Sequence, residues 1–135
     1  MRSWHDYHLV AYSVDGLNRQ IQFDVRWPYD ADTDIDRATV LFSEVEGYFF
    51  EHDLGGNILD SITEVPVDAF LTHNADYFEQ ECKWGWPLFW RGDVTKTLEY
   101  LNDNAIKCLE ISSSHGLSGW VLASNVAYFE HRTTL

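Results

Sequence analysis

Hydrophobic and polar positions alternate most cleanly over residues 17–27. Leu17, Ile21, Phe23, Val25 and Trp27 share one parity, and Asn18, Gln20, Gln22, Asp24 and Arg26 share the other. Successive side chains on a strand point to opposite faces, so this pattern predicts a strand with one face on a core and one in water. Arg19 is the break in the apolar parity. A second strand is predicted at 8–14, and Asp15-Gly16 between the two predicts a hairpin with a two-residue type I′ turn, because glycine accepts positive φ. Pro28 ends the strand by removing a ladder donor. Strand character resumes at 37–45, with Val40 and Phe42 on one face, and at 47–53 through Tyr48, Phe49 and Phe50. After Leu54-Gly55-Gly56 it returns at 57–65, where Ile58, Asp60 and Ile62 share a parity. That parity puts Asp60 on the core-facing side. Either an edge position, where the face meets water, or a partly buried acid aimed at a partner would account for it.

The period changes at Pro66, which suits a first helical turn because its missing N–H costs nothing there. Val67, Phe70, Leu71, Asn74 and Phe78 follow helical spacing, which predicts a helix ending near Cys82. Asp68 in its first turn favours the helix dipole, whereas Glu79 and Glu81 in its last turn oppose it. An irregular aromatic connection follows, with Trp84, Trp86, Phe89 and Trp90 around Gly85 and Pro87. Asp93 is predicted to cap a helix over 94–103 that turns Leu98 and Leu101 inward, with Asn104 as its left-handed stop. Two closing strands are predicted at 105–112 and 119–130. The resulting fold class is α+β: an antiparallel β-meander of about five strands, two helices packing on the sheet, and two closing C-terminal strands. With 135 residues and no repeat or linker, the chain reads as a single α+β domain over 1–135.

Charge alters this picture more than composition does. The chain carries a formal net charge of −13. Residues 30–82 hold fourteen acids against Arg37 alone, while the remaining segments balance eight acids with eight bases. The charge of the whole protein therefore sits in one continuous stretch. Such acidity disfavours binding to a phosphate backbone and favours a basic protein partner. Six Trp, seven Tyr and eight Phe supply too much apolar surface for a disordered acidic tail. No apolar run approaches the ~20 residues of a membrane span. The first residues lack an apolar signal region, so a cytoplasmic protein with reduced Cys82 and Cys108 is expected.

Motifs for chemistry are sparse. Asp30, Asp32, Asp34 and Asp36 alternate like the opening of a calcium loop, but Ile35 and Leu41 stand where that loop needs Gly and a bidentate Glu. The stretch reads as a solvated acidic loop. His5 and His8 have no converging third ligand by spacing, so no metal is expected. Ser112 to Ser114 beside His115 lie on a strand and turn, where adjacent side chains diverge, so no nucleophile is assigned. No cofactor motif is present, and no residue is assigned a catalytic role. The chain reads more as a binding module than as an enzyme. Residues 84–90 could plug one end of the core, anchor a protein interface or stack a small ligand. The candidate partner-binding residues are Glu44, Glu46, Glu51, Asp53, Asp60 and Glu64, with Trp84, Trp86 and Trp90 as aromatic anchors.

In size, acidity, aromatic content and strand-helix-strand make-up, the chain resembles the small bacterial immunity proteins of polymorphic-toxin systems. The resemblance rests on the profile of the whole chain, so no site residue is carried over from it. It implies a protein that binds and occludes a cognate toxin, often a basic nuclease. The alternatives are a small-molecule or carbohydrate-binding domain, in which residues 84–90 and nearby carboxylates share a pocket and could act as a hydrolase, and a structural or oligomeric module.

Overall fold

A computed structural model describes residues 3–27 and 36–131. The acidic loop at 28–35, with Asp30, Asp32 and Asp34, lies outside the described residues. The strands are β1 (His8–Asp15), β2 (Gln20–Trp27), β3 (Asp36–Glu51), β4 (Ile58–Val65), β5 (Lys107–His115) and β6 (Ser118–His131). The helices α1 (Val67–Glu81) and α2 (Val94–Asp103) separate β4 from β5, with a short 3-10 turn at Cys82–Trp84. The architecture is α+β, with one antiparallel sheet of six strands and two helices.

The sheet closes on itself in the order β1-β2-β3-β6-β5-β4. Closure removes the exposed strand edges that an open meander would leave. The seam is short. His8 pairs with Ile58, and the Leu9 N–H donates to Asn57 O at 2.9 Å and the Leu59 N–H to Tyr7 O at 2.8 Å. The alternation seen in the sequence fills the interior: Ile21, Phe23 and Val25 from β2, Ala38, Val40 and Phe42 from β3, and Leu109 and Ile111 from β5 are buried there. Trp4 and Tyr7 close one end, with their rings edge to face at 5.1 Å.

Five expectations need correction. The segments predicted as separate strands at 37–45 and 47–53 are one strand, β3, bent at a bulge between Val45 and Gly47. Glu44 takes positive φ, 52°, at this bend, so pairing with β6 continues across it. The first hairpin turn is longer than two residues: Asp15 pairs with Gln20, and Arg19 rather than Gly16 has positive φ. The Asp15 carboxylate holds this turn by accepting from the Asn18 N–H at 3.0 Å, which lowers the Asp15 pKa. Leu17 is consequently in the turn and 92% exposed, not on the core face. Asp60 is exposed because β4 shifts register between Leu59 and Ser61; Leu59 and Ile62 turn inward instead of Asp60. Finally, Asn104 has φ −100°, and Ala105 takes the left-handed conformation after α2.

A second core lies outside the barrel. Consecutive residues Cys108 and Leu109, and Val121, Leu122 and Ala123, are all buried. One parity fills the barrel, and the other meets the helices through Cys108 and Leu122. Leu71 and Phe78 of α1, Leu101 of α2 and Phe89 of the aromatic connection complete this layer. Gly47 gives Phe89 its seat: a Cβ at Gly47 would stand 2.7 Å from the Phe89 ring. The two helices thus cover the β5–β6 side of the barrel.

Candidate functional site

Of the acids of residues 36–82, all but Asp53 fall on β3, β4 and α1. α1 carries Asp68, Asp76, Glu79 and Glu81 and has no Lys or Arg. Asp68 accepts from the Ala69 N–H at 2.8 Å, and Glu79 accepts from the Trp90 indole N–H at 2.8 Å. Among the described residues, Lys or Arg pairs with Asp24, Glu46 and Glu64. The remaining exposed acids of α1 and β3 are not neutralised in this way.

The predicted binding residues divide by role. Glu46 is a structural acid: its side chain is 12% exposed, Tyr100 Oη donates to it at 3.0 Å, and Arg19 lies at 3.5 Å. Burial and this hydrogen bond raise the Tyr100 pKa, while Arg91 stacks on the Tyr100 ring at 3.9 Å. Asp53 is likewise engaged, accepting from Tyr12 Oη at 2.5 Å; that bond, with burial, pushes the Tyr12 pKa up to about 12. Glu44 accepts from the Ser124 hydroxyl. Glu51, Asp60 and Glu64 are exposed. Asp60 meets His5 Nδ1 at 3.1 Å, and Glu64 lies 3.9 Å from Lys107.

The three tryptophans also separate. Trp86 and Trp90 pack on the outer core, with ring centroids 5.9 and 5.8 Å from that of Phe78. Trp84 is 82% exposed. Asp60 lines a hollow of about 520 Å³ with Trp4 and 61–64, whereas Trp86 and Leu88 line another of about 200 Å³ beside Glu46. Of the pocket expected to join the 84–90 aromatics to Asp60 or a neighbouring acid, the part with Asp60 is not formed by these two hollows, which share no lining residue, whereas Trp86 and Glu46 do line one together.

A further cavity involves, besides Glu51, residues to which the sequence assigned no binding role. An open groove of about 600 Å³ runs between α1 and the outer face of β3, β6 and β5. Strand pairing builds its floor. Phe49 on β3 and Glu110 on β5 both pair with Trp120 on β6, so the three side chains form a row across the strands. Glu51 stands two residues beyond Phe49, opposite Ser118. α1 forms the wall with Phe70, His73, Asn74 and Tyr77, and the Phe70 ring meets Trp120 edge to face at 4.9 Å. Neither Lys nor Arg lines the groove among the described residues. The Glu110 carboxylate has no ion pair or side-chain hydrogen bond there. An aromatic floor with a carboxylate on each neighbouring strand sets rings beside charged acceptors, the combination that attracts a cation.

Among the described residues, no group of three or more His, Cys, Asp or Glu side chains could hold a metal ion. Cys82 and Cys108 are both free thiols. Ser113 donates to Leu117 O and Ser114 to Ile58 O, which commits these hydroxyls to the turn and the seam. Among the described residues, no helix is long and apolar enough to cross a membrane. Comparison with protein-family models, curated proteins and solved structures returned no match.

Proposed function

We propose that this protein is an acidic protein-binding module, an immunity-type inhibitor that binds and occludes a basic toxin or nuclease. The observation that carries the reading is the distribution of unneutralised carboxylates. Asp68 and Asp76 on α1, Glu51 on β3 and Glu110 on β5 are exposed, Glu81 at the end of α1 is half-buried, and the exposed rings of Phe49, Tyr77 and Trp84 belong to the same elements and the connection after α1. A nuclease must present a basic face to its polyanionic substrate. A rigid acidic surface occupies such a face by the same electrostatics, speeding encounter, while desolvated aromatic rings slow release. Glu44, Glu51, Asp60 and Glu64 supply charge around the contact, and Trp84 is the exposed anchor of the three tryptophans. Glu46, Asp53, Trp86 and Trp90 support it from within, by holding β3 and the aromatic connection in place.

The test is affinity capture from lysate of the protein's own source at low and high salt, followed by co-expression of the captured protein with this chain. A basic protein whose growth arrest or nuclease activity is relieved by co-expression is the expected result. The reading fails if the captured protein's activity is unchanged by a stoichiometric excess of this chain, or if no basic protein is captured.

With the partner in hand, charge reversal at Glu44, Glu51, Asp60 and Glu64 together is expected to slow association by at least about tenfold at low ionic strength and to flatten its salt dependence. Stopped-flow on-rates that match wild type would remove the electrostatic part of the proposal.

A further inference from the structure

We infer that the groove between α1 and the barrel is a socket for an arginine side chain projected by the basic partner. This inference rests on the acidic-module reading above and assigns the residue that the groove takes. The argument begins with the groove's chemistry. Its floor is half-buried Trp120, whose ring meets Phe70 edge to face at 4.9 Å and packs with Phe78, Trp86 and Phe89 at 5.9–6.3 Å, with the exposed Phe49 ring beside it. Aromatic rings attract a cation through the negative potential over their faces, and Phe49 is more exposed than Trp120. Glu110 stands directly across from Trp120 on β5, and Glu51 lies on the other neighbouring strand. Strands are spaced ~4.8 Å apart and rise ~3.4 Å per residue, so the two carboxylates start from backbones roughly 12 Å apart, Glu110 level with the ring and Glu51 two residues along the strand from it.

That geometry favours guanidinium over ammonium. A planar guanidinium can lie on an aromatic face while its N–H groups donate in plane to carboxylates at the side. An ammonium is a compact, strongly hydrated charge that gains less from the flat floor. The groove has room, at about 600 Å³, for the aliphatic stem as well, and Phe70 and Val65 line it. Charge complementarity is one-sided, because among the described residues the lining supplies Glu51 and Glu110 and contains no Lys or Arg. The carboxylates are also available. Both are exposed, and among the described residues Glu110 has no ion pair and Glu51 has the neighbouring His52 ring at 3.8 Å.

The probe is the capped tripeptide Gly-Arg-Gly, titrated into the full chain while the indole N–H resonance of Trp120 is followed by NMR. Matched peptides with citrulline or lysine in the central position serve as comparisons. The arginine peptide is expected to shift Trp120 saturably. Glu110→Gln is expected to weaken binding about tenfold, as for loss of one charge-assisted contact. Glu99→Gln, an exposed acid on α2 outside the groove, is expected to leave binding unchanged. Thermal unfolding of both variants at the wild-type midpoint excludes a folding effect.

The inference is overturned if the arginine peptide gives no saturable shift, if the citrulline or lysine peptide binds equally well, or if Glu99→Gln weakens binding as much as Glu110→Gln. The two levels of the proposal fail separately. Partner capture that depends on the acids, without arginine binding in the groove, removes the socket and leaves the inhibitor reading. Arginine binding in the groove, without a basic partner whose activity is relieved, does the reverse.

Discussion

Gly119 is the residue on which the β3–β6 pairing depends most directly. A Cβ there would stand 1.8 Å from Phe49 O, a backbone atom that cannot turn aside. Gly119→Ala is expected to cost about 3 kcal/mol, measured by urea denaturation, and to displace Phe49 from the groove floor. Two other residues set the alkaline limit. Burial, aided by Glu110, pushes the Cys108 thiol up from 9.0 to about 12, and the bond to Asp53 does the same for Tyr12 from 10.0. Raised values mean that the folded state favours the neutral forms. Their contribution is complete below the unfolded values and is lost as pH rises through the folded ones. Stability is therefore expected to fall between about pH 9 and 12, in the window of these shifts, as followed by circular dichroism. Cys108→Ala and Tyr12→Phe together should flatten that fall, and an unchanged slope would assign it to other groups. In the native state at neutral pH, a thiol reagent is expected to label half-buried Cys82 and spare Cys108.

Helix ends carry the predictions at the scale of the element. Asp93 accepts from the Lys96 N–H at 2.7 Å and starts α2, as its position in the sequence predicts. Asp93→Ala is expected to cost about 1 kcal/mol and to lower the thermal midpoint without altering the barrel's circular dichroism signature. α1 is held differently. Pro66 at its N-cap makes no side-chain cap bond, and its last turn holds Glu79 and Glu81 without a basic residue. The helix is stabilised mainly by burying Leu71 and Phe78 on the outer core, and Glu79 gains the Trp90 indole as a donor. The acids at its C-terminal end oppose the macrodipole, so replacing Glu81 with Lys is expected to raise stability by about 0.5 kcal/mol. An acid kept at such a position fits a surface selected for charge rather than for helix stability.

Across the whole molecule, closure of the sheet converts a charge distribution along the chain into one in space. Residues 36–82 run from β3 through β4 into α1, and the end of β3 and α1 border the groove to which β5 adds Glu110. The acids on β3, β4 and α1 are thus carried by strands and a helix rather than by a flexible tail. That distinction underlies both proposals. A rigid surface can set the orientation of a partner and place one arginine in a defined socket, whereas a tail would neutralise basic residues without choosing among them.

The sequence by itself determined the elements and their inward faces. Two-residue alternation located β2 and the first half of β3, helical spacing located α1, and Asp93 marked the start of α2, because these signals depend only on neighbours along the chain. Tertiary structure decided what depends on contacts between distant residues. The bulge at 45–47 made one strand of two predicted segments, and the register shift at 59–61 turned Asp60 outward; local alternation does not register an inserted residue. Closure of the barrel and the outer core left one trace in the sequence: the unbroken apolar runs at 108–109 and 121–123 signal strands buried on both faces. The groove left less. Phe49, Trp120 and Glu110 lie far apart along the chain, and only the pairing of β3, β6 and β5 brings them into one row.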